Sequence, residues 1–180
     1  MKRLFGIMFV ASALGAGSAA AQSADQPFAR EAAVGGVAEV ELGNLAKEKA
    51  SNADVKQFAD RMTTDHGKAN DELKQWAQQR KVTLPAATDA KHKATHDRLA
   101  RLSGDAFDKA YMRDMVMDHQ HDVAAFKREA ESGKDANLKA WAAKTLPTLQ
   151  DHLKMAQDTA AKSWCGHPAG EEEVGIHACP

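Results

Sequence analysis

Apolar residues recur along this chain at steps of three and four, and no stretch alternates with a period of two. Ala, Leu, Lys, Glu, Gln and Asp fill the pattern, while runs of β-branched and aromatic residues are missing. That periodicity predicts amphipathic helices and an all-α fold. Breaks in the pattern divide it into four long helices. The first is expected from about Pro27 to Ala50, since Pro suits a first helical turn and Ser51-Asn52 interrupts the stripe. The second runs from about Asp54 to Arg80. A crossover from Lys81 to Gly104 follows, opened by Leu84-Pro85 and carrying a short helix near Asp89 to Leu102. The third helix runs from about Asp105 to Ser132, with Gly133 expected as its C-cap. The fourth runs from about Asn137 to Lys162. Pro147 inside it should kink the helix or remove one backbone bond.

The two helical hairpins resemble each other. Lys47-Glu48-Lys49-Ala50-Ser51 closes the first helix, and Val55-Lys56-Gln57-Phe58-Ala59 opens the second. Lys127-Arg128-Glu129-Ala130-Glu131-Ser132 closes the third, and Leu138-Lys139-Ala140-Trp141-Ala142 opens the fourth. Two hairpins joined by a long crossover form the ferritin-like arrangement of a four-helix bundle.

The ends of the chain change the picture. Lys2 and Arg3 precede an apolar run from Leu4 to about Ala16, and Ala19-Ala20-Ala21 offers a cleavage site before Gln22. Residues 1–21 therefore read as a secretory signal peptide, its apolar run too short to span a bilayer. No later segment is apolar enough to cross a membrane, so a soluble, exported, periplasmic chain is expected, with the bundle at 22–162 and a loose tail at 163–180. Losing Lys2 and Arg3 takes the formal charge from −1 to −3, which points to neither nucleic acid nor an anionic membrane. Both cysteines, Cys165 and Cys179, lie in the tail, where an oxidising compartment favours one disulfide.

Polar residues on the apolar stripes are the candidate chemistry. At about 100° per residue, Glu39 is centred among Phe28, Ala32, Gly35, Leu42 and Ala46 on the first helix, while Glu41 points away. His66 is centred among Val55, Ala59, Met62, Leu73 and Ala77. His119 is centred among Met112, Met115, Val123, Phe126 and Ala130, and His121 points away. His152 lies with Trp141, Thr145, Ala156 and Thr159. Glu39 stands thirteen residues before Asn52 and His66 fourteen after it, so the two share a depth. His119 is fifteen residues before Lys134, and His152 is eighteen after it, one turn further along.

One Glu and three His, one per helix, are thus expected to meet near mid-bundle. A buried ionised Glu is costly unless it is paired, hydrogen-bonded or metal-bound. Imidazoles with a carboxylate suit a divalent transition metal, Zn, Fe, Mn or Cu alike. Each of the three His follows an Asp: Asp65, Asp118 and Asp151. These stand off the stripe, placed to orient a ring nitrogen from behind or to add ligands. The competing reading is a dry polar core in which Glu39 hydrogen-bonds the histidines.

Other sets are weaker. His92 and His96, four apart on the crossover helix, have metal-ligand spacing but no third partner, which reads as a solvated face. Cys165-Gly166-His167 and His177-Ala178-Cys179 mirror each other and suit Zn or Cu if the disulfide is absent. Met62, Met112, Met115 and Met155 at helical spacing read as core filler.

Several segments together carry a family likeness. They are Gly36-Val37-Ala38-Glu39-Val40-Glu41-Leu42-Gly43-Asn44-Leu45-Ala46, Met62-x-x-Asp65-His66, Gly104-x-x-Phe107-Asp108-x-x-Tyr111-Met112, Met115-x-x-Asp118-His119 and Leu149-x-x-His152. The chain resembles exported ferritin-like proteins catalogued as domain-of-unknown-function family 4142, often labelled predicted outer-membrane proteins. The likeness covers about Pro27 to Ala160 and implies a four-helix ferritin-like fold. It implies no settled activity, and the tail after Lys162 lies outside it. Di-iron ferritin-like proteins use Glu on two helices and Glu-x-x-His on the other two. Here Thr63, Val116 and Leu149 stand three residues before the histidines, so the bridging carboxylates of a two-iron site are absent.

Three functions remain open at this point. One is an exported metal-binding protein in metal or oxidative-stress handling. Another is a redox enzyme at the same site. The third is a structural or partner-binding bundle with a metal-free core. No nucleophile constellation, phosphate loop or dinucleotide fingerprint is present.

Overall fold

A computed structural model describes residues 16–165, with side chains from 25 to 162. Among the described residues there are five helices and no strand: α1 (Ala16–Lys49), α2 (Ala53–Arg80), α3 (Ala90–Ala100), α4 (Gly104–Ser132) and α5 (Ala136–Cys165). Capping chemistry sets the starts. The Asn52 side chain accepts from the Asp54 N–H at 2.7 Å. Asp89 accepts from the His92 N–H at 2.9 Å, and Asp135 from Asn137 and Leu138 N–H groups at 3.0 Å each. Each carboxylate or amide satisfies donors that the first helical turn leaves free.

The helix boundaries follow the apolar pattern except at three places. α1 begins at Ala16, and Pro27 lies inside it rather than at its first turn. The Ala-rich run ahead of Pro27 favours helix, and one Pro removes one backbone bond without ending it. α5 continues to Cys165, past the expected end at Lys162. Gly133 follows α4 in an extended conformation (φ −53°, ψ 146°), not a left-handed cap. Space requires this glycine: a Cβ there would stand 2.3 Å from Glu129 Oε1 and 2.6 Å from the Glu129 carbonyl oxygen. The disulfide expected between Cys165 and Cys179 lies outside the described side chains.

α1 packs along α2 and α4 along α5, and the hairpins meet through α2 against α5 and α1 against α4. The short α3 lies over α1 and α4. Close approach within the first hairpin depends on Gly43, where a Cβ would meet Thr63 Cγ2 at 2.8 Å and the Ala59 carbonyl at 3.1 Å. The interior has two apolar ends. One gathers Leu42, Phe58, Met62, Phe107, Met112 and Met115. The other gathers Ala33, Leu73, Trp76, Leu138, Phe126 and Leu149. Along every long helix, the candidate Glu or His falls between these ends.

Two buried aspartates tie the hairpins together. Asp108 on α4 accepts from the Ser51 N–H (3.2 Å), the Asn52 N–H (2.9 Å) and the Ser51 hydroxyl (2.6 Å), all in the α1–α2 turn. Asp25 on α1 accepts from the Lys134 N–H (2.7 Å) and from the Asp135 N–H, in the α4–α5 turn. Asp25 stands 27 positions before Asn52 and Asp108 stands 27 before Asp135, and each carboxylate supports the turn of the opposite hairpin. The hairpin likeness is therefore a repeat with an offset of 83 residues, the separation of Ala53 from Ala136 at the helix starts.

Removing one of these carboxylates leaves buried N–H donors without acceptors. Asp108→Ala should lower the unfolding free energy by about 2–4 kcal/mol, read as a fall in urea midpoint at unchanged slope. Asp158→Ala, which breaks only an exposed pair with Lys154, should change it by less than about 0.5 kcal/mol.

Candidate metal centre

Mid-bundle, α2, α4 and α5 each turn one imidazole inward. His66, His119 and His152 are 6%, 0% and 1% exposed. Their ring centroids lie 5.6 Å (His66–His119), 5.3 Å (His66–His152) and 5.4 Å (His119–His152) apart. One nitrogen from each lies within 4.8 Å of the other two. A tetrahedral ion with bonds of about 2.0–2.1 Å needs about 3.3 Å between ligand nitrogens, so small side-chain shifts complete the approach. No other His, Cys, Asp or Glu set among the described residues has this spacing.

The far sides of two rings are committed. His119 Nδ1 donates to the Met115 carbonyl, one helical turn back, at 2.9 Å. His152 Nε2 lies 2.9 Å from Asp65 Oδ2 and donates to it, and Arg61 holds the same carboxylate. Each bond fixes a tautomer and leaves the opposite nitrogen with a lone pair, the usual support for a metal-binding imidazole. His119 Nε2, His152 Nδ1 and His66 Nε2 are buried without a hydrogen-bond partner.

Burial keeps these rings neutral. It pushes His119 down to about 4, with repulsion from His152 adding to it. His66 is held well below the usual imidazole range by burial and by both neighbouring rings. Burial also lowers His152, although Asp65 pulls the other way. The centre therefore presents uncharged bases at neutral pH.

Glu39 on α1 is fully buried beside this triad. Its Oε1 lies 4.0 Å from His119 Nδ1, the nitrogen already bonded to Met115, and Glu39 stands outside the group with ligand spacing. Burial first, then the Asp118 and Asp122 carboxyls, push its pKa well above the usual range. A protonated Glu39 can share its proton with Asp118, while neither Glu39 oxygen has a geometrically formed hydrogen bond.

The three aspartates before the histidines go separate ways. Asp65 braces His152 rather than its own neighbour His66. Asp118 lies by Glu39. Asp151 is exposed. Glu41 and His121 are exposed, as their position on the stripe predicts, and His121 faces Glu31 at 3.4 Å. His92 is 2.7 Å from Asp89 and His96 is 3.6 Å from Asp97, each on the surface of α3. Met62, Met112 and Met115 are buried in the core, with Met155 packed against it.

Residues the sequence pattern did not mark complete the surroundings. Asp122 sits one turn beyond His119, and burial, then Asp118 and Glu31, raise it to about 8. Its position is the repeat counterpart of Glu39, a signal visible once the 83-residue offset is known. Tyr111 is fully buried with no partner for its hydroxyl. A narrow cleft, open to solvent, reaches His66 and His152 past Asp65, Asp122, Phe126 and Trp141.

The comparisons agree with this bundle. The family model described as Domain of unknown function (DUF4142) matches residues 11–159, so the chain belongs to that family. Among solved structures it is similar to a Streptomyces coelicolor DUF305 protein, provisionally described as secreted, at 18% identity and a TM-score of 0.67. That match covers 78% of this chain and 94% of the other, and at this identity it shows the fold alone. No curated protein matches.

The neutral rings and protonated carboxyls give opposite pH signatures in metal-stripped protein. An unfolded imidazole takes a proton near 6.5, whereas folded His119 does so only near 4. The unfolded state therefore binds more protons between those values, and stability falls as pH falls through that window. The wild-type advantage over His119→Gln should shrink by on the order of 3 kcal/mol between pH 7 and pH 4 in urea unfolding. Asp122 reverses the sign: its folded form keeps a proton up to about 8, so its contribution is lost as pH rises from about 4 to about 8. Asp122→Asn should gain on wild type across that range.

Proposed function

We propose that this protein is an exported, ferritin-like bundle that holds one divalent transition metal on His66, His119 and His152. The observation that carries this reading is the convergence of three neutral imidazoles, each with a buried, unpartnered ring nitrogen. Zn, Fe, Mn and Cu all accept imidazole ligands, so the donor set admits any of them. Glu39 serves as a proton-holding neighbour of His119 rather than a fourth ligand. With no bridging carboxylates on the three His-bearing helices, storage or oxidation of paired iron does not fit, and metal or oxidative-stress handling does. Residues 1–21 act as the export signal, cleaved near Ala21 for release to the periplasm, and residues 22–162 form the working domain. No helix among the described residues is long and apolar enough to cross a membrane.

Titration with Zn(II) or Co(II) at pH 7.5 should give one equivalent per chain. A hundredfold excess over the dissociation constant should raise stability by about 2.7 kcal/mol. His66→Ala, His119→Ala and His152→Ala should each abolish uptake, whereas Glu39→Gln, Glu41→Gln and His121→Ala should retain it. No uptake by wild type, or unchanged uptake by His119→Ala, would leave an empty polar core as the better description. N-terminal sequencing of exported protein should begin near Gln22, and material still starting at Met1 would remove the export claim.

A further inference from the structure

Three imidazoles leave an ion two problems. A tetrahedral or larger coordination shell has at least one position unfilled. The ion's double positive charge is also uncompensated, because the donors are neutral and Glu39 lies on the Nδ1 side of His119. A buried charge without a counter-charge is costly. One small anion from solvent fills the open position and offsets half of that charge.

The cleft supplies the route, and the repeat explains why it is there. An offset of 83 maps His119 onto Gly36, His152 onto Ala69 and His66 onto Leu149. All three counterparts line the cleft. Where one half of the bundle fills mid-depth with two imidazoles, the other half has Gly36, whose missing side-chain space is taken by Asn70, and Ala69 at the wall of the cleft that reaches His66 and His152. The enclosed part accommodates about one water-sized ligand. Its mouth, at Asp65, Ala69, Thr145 and Thr148, joins a shallower groove carrying Lys68 and Lys144 against Glu72. Asn70, Trp141 and Asp122 on the walls offer hydrogen-bonding groups, and Trp141 Nε1 has no acceptor on the chain.

We propose that this cleft delivers a small monovalent anion, of the hydroxide or azide class, to the open position of an ion held by His66, His119 and His152. The proposal rests on the metal reading above and adds the ligand class and its path. The site is then an exchange site, open to solvent ligands, rather than a closed structural one.

The test is titration of the Co(II)-loaded full chain with sodium azide, followed by visible absorption. Saturable change in the cobalt bands is expected. Ala69→Phe and Thr148→Leu at the mouth should slow azide association at least tenfold in stopped-flow mixing, while Co(II) stoichiometry and the azide-free spectrum stay as in wild type. If Ala69→Phe does not fold, Thr148→Leu carries the comparison. Bound Co(II) whose spectrum ignores azide would overturn the anion route and leave the metal reading intact. Azide association at the wild-type rate in the folded mouth variants would overturn the assigned path. A chain that takes up no Co(II) overturns the metal reading, and the anion proposal falls with it.

Discussion

Desolvation of three imidazoles at one level of the bundle is the constraint on which the site depends. Away from water, a charged ring is costly, and three together repel, so all stay neutral. Neutral rings need one donor and one acceptor role assigned per ring. The Met115 carbonyl and the Asp65 carboxylate take the N–H of His119 and His152 and thereby leave lone pairs on their other sides. Burial, tautomer and ligand capacity are one linked consequence of placing His at the centre of an apolar stripe.

The scaffold that holds this layer is close to symmetric, and the chemistry on it is not. Asp25 and Asp108 do the same work at corresponding turns, and Asn52 and Asp135 cap corresponding helices. Glu39 and Asp122 are corresponding carboxyls, both raised by burial and by the Asp118 carboxyl. The histidines break the pattern, since Gly36, Ala69 and Leu149 stand where their counterparts would be. A duplicated frame can therefore stay rigid while one half carries ligands and the other leaves space.

Helix register was legible in the sequence because burial obeys a period near 3.6, and depth was legible because antiparallel hairpins count residues outward from a turn. That is why His66, His119 and His152 were placed together, and why Glu41 and His121 were placed outside. Direction beyond the Cβ was not legible. Glu39 is on the stripe and at the right depth, yet its carboxyl faces the wrong nitrogen of His119 for shared ligation. Asp65 reaches across to His152 on another helix instead of serving its neighbour, a contact set by helix packing rather than by spacing. Gly133 likewise looked like a conformational cap, whereas the close approach of Glu129 is what demands it. Spacing along the chain does not mark Asp108, because the backbone N–H groups that donate to it are 56 and 57 positions away.

The polar layer makes little sense as a device for stability. His66 Nε2, His119 Nε2, His152 Nδ1, both Glu39 oxygens and the Tyr111 hydroxyl are all buried without partners. Each such group costs about 1–3 kcal/mol relative to a satisfied one. Leucine at His66, like the Leu149 that occupies its counterpart, would remove the share of that cost that falls on His66. On the proposed metal reading, an ion on the three lone pairs would satisfy the ring nitrogens that the fold leaves unpaired. Unpaired polar groups in an otherwise consistent helical design are what a functional site is expected to show.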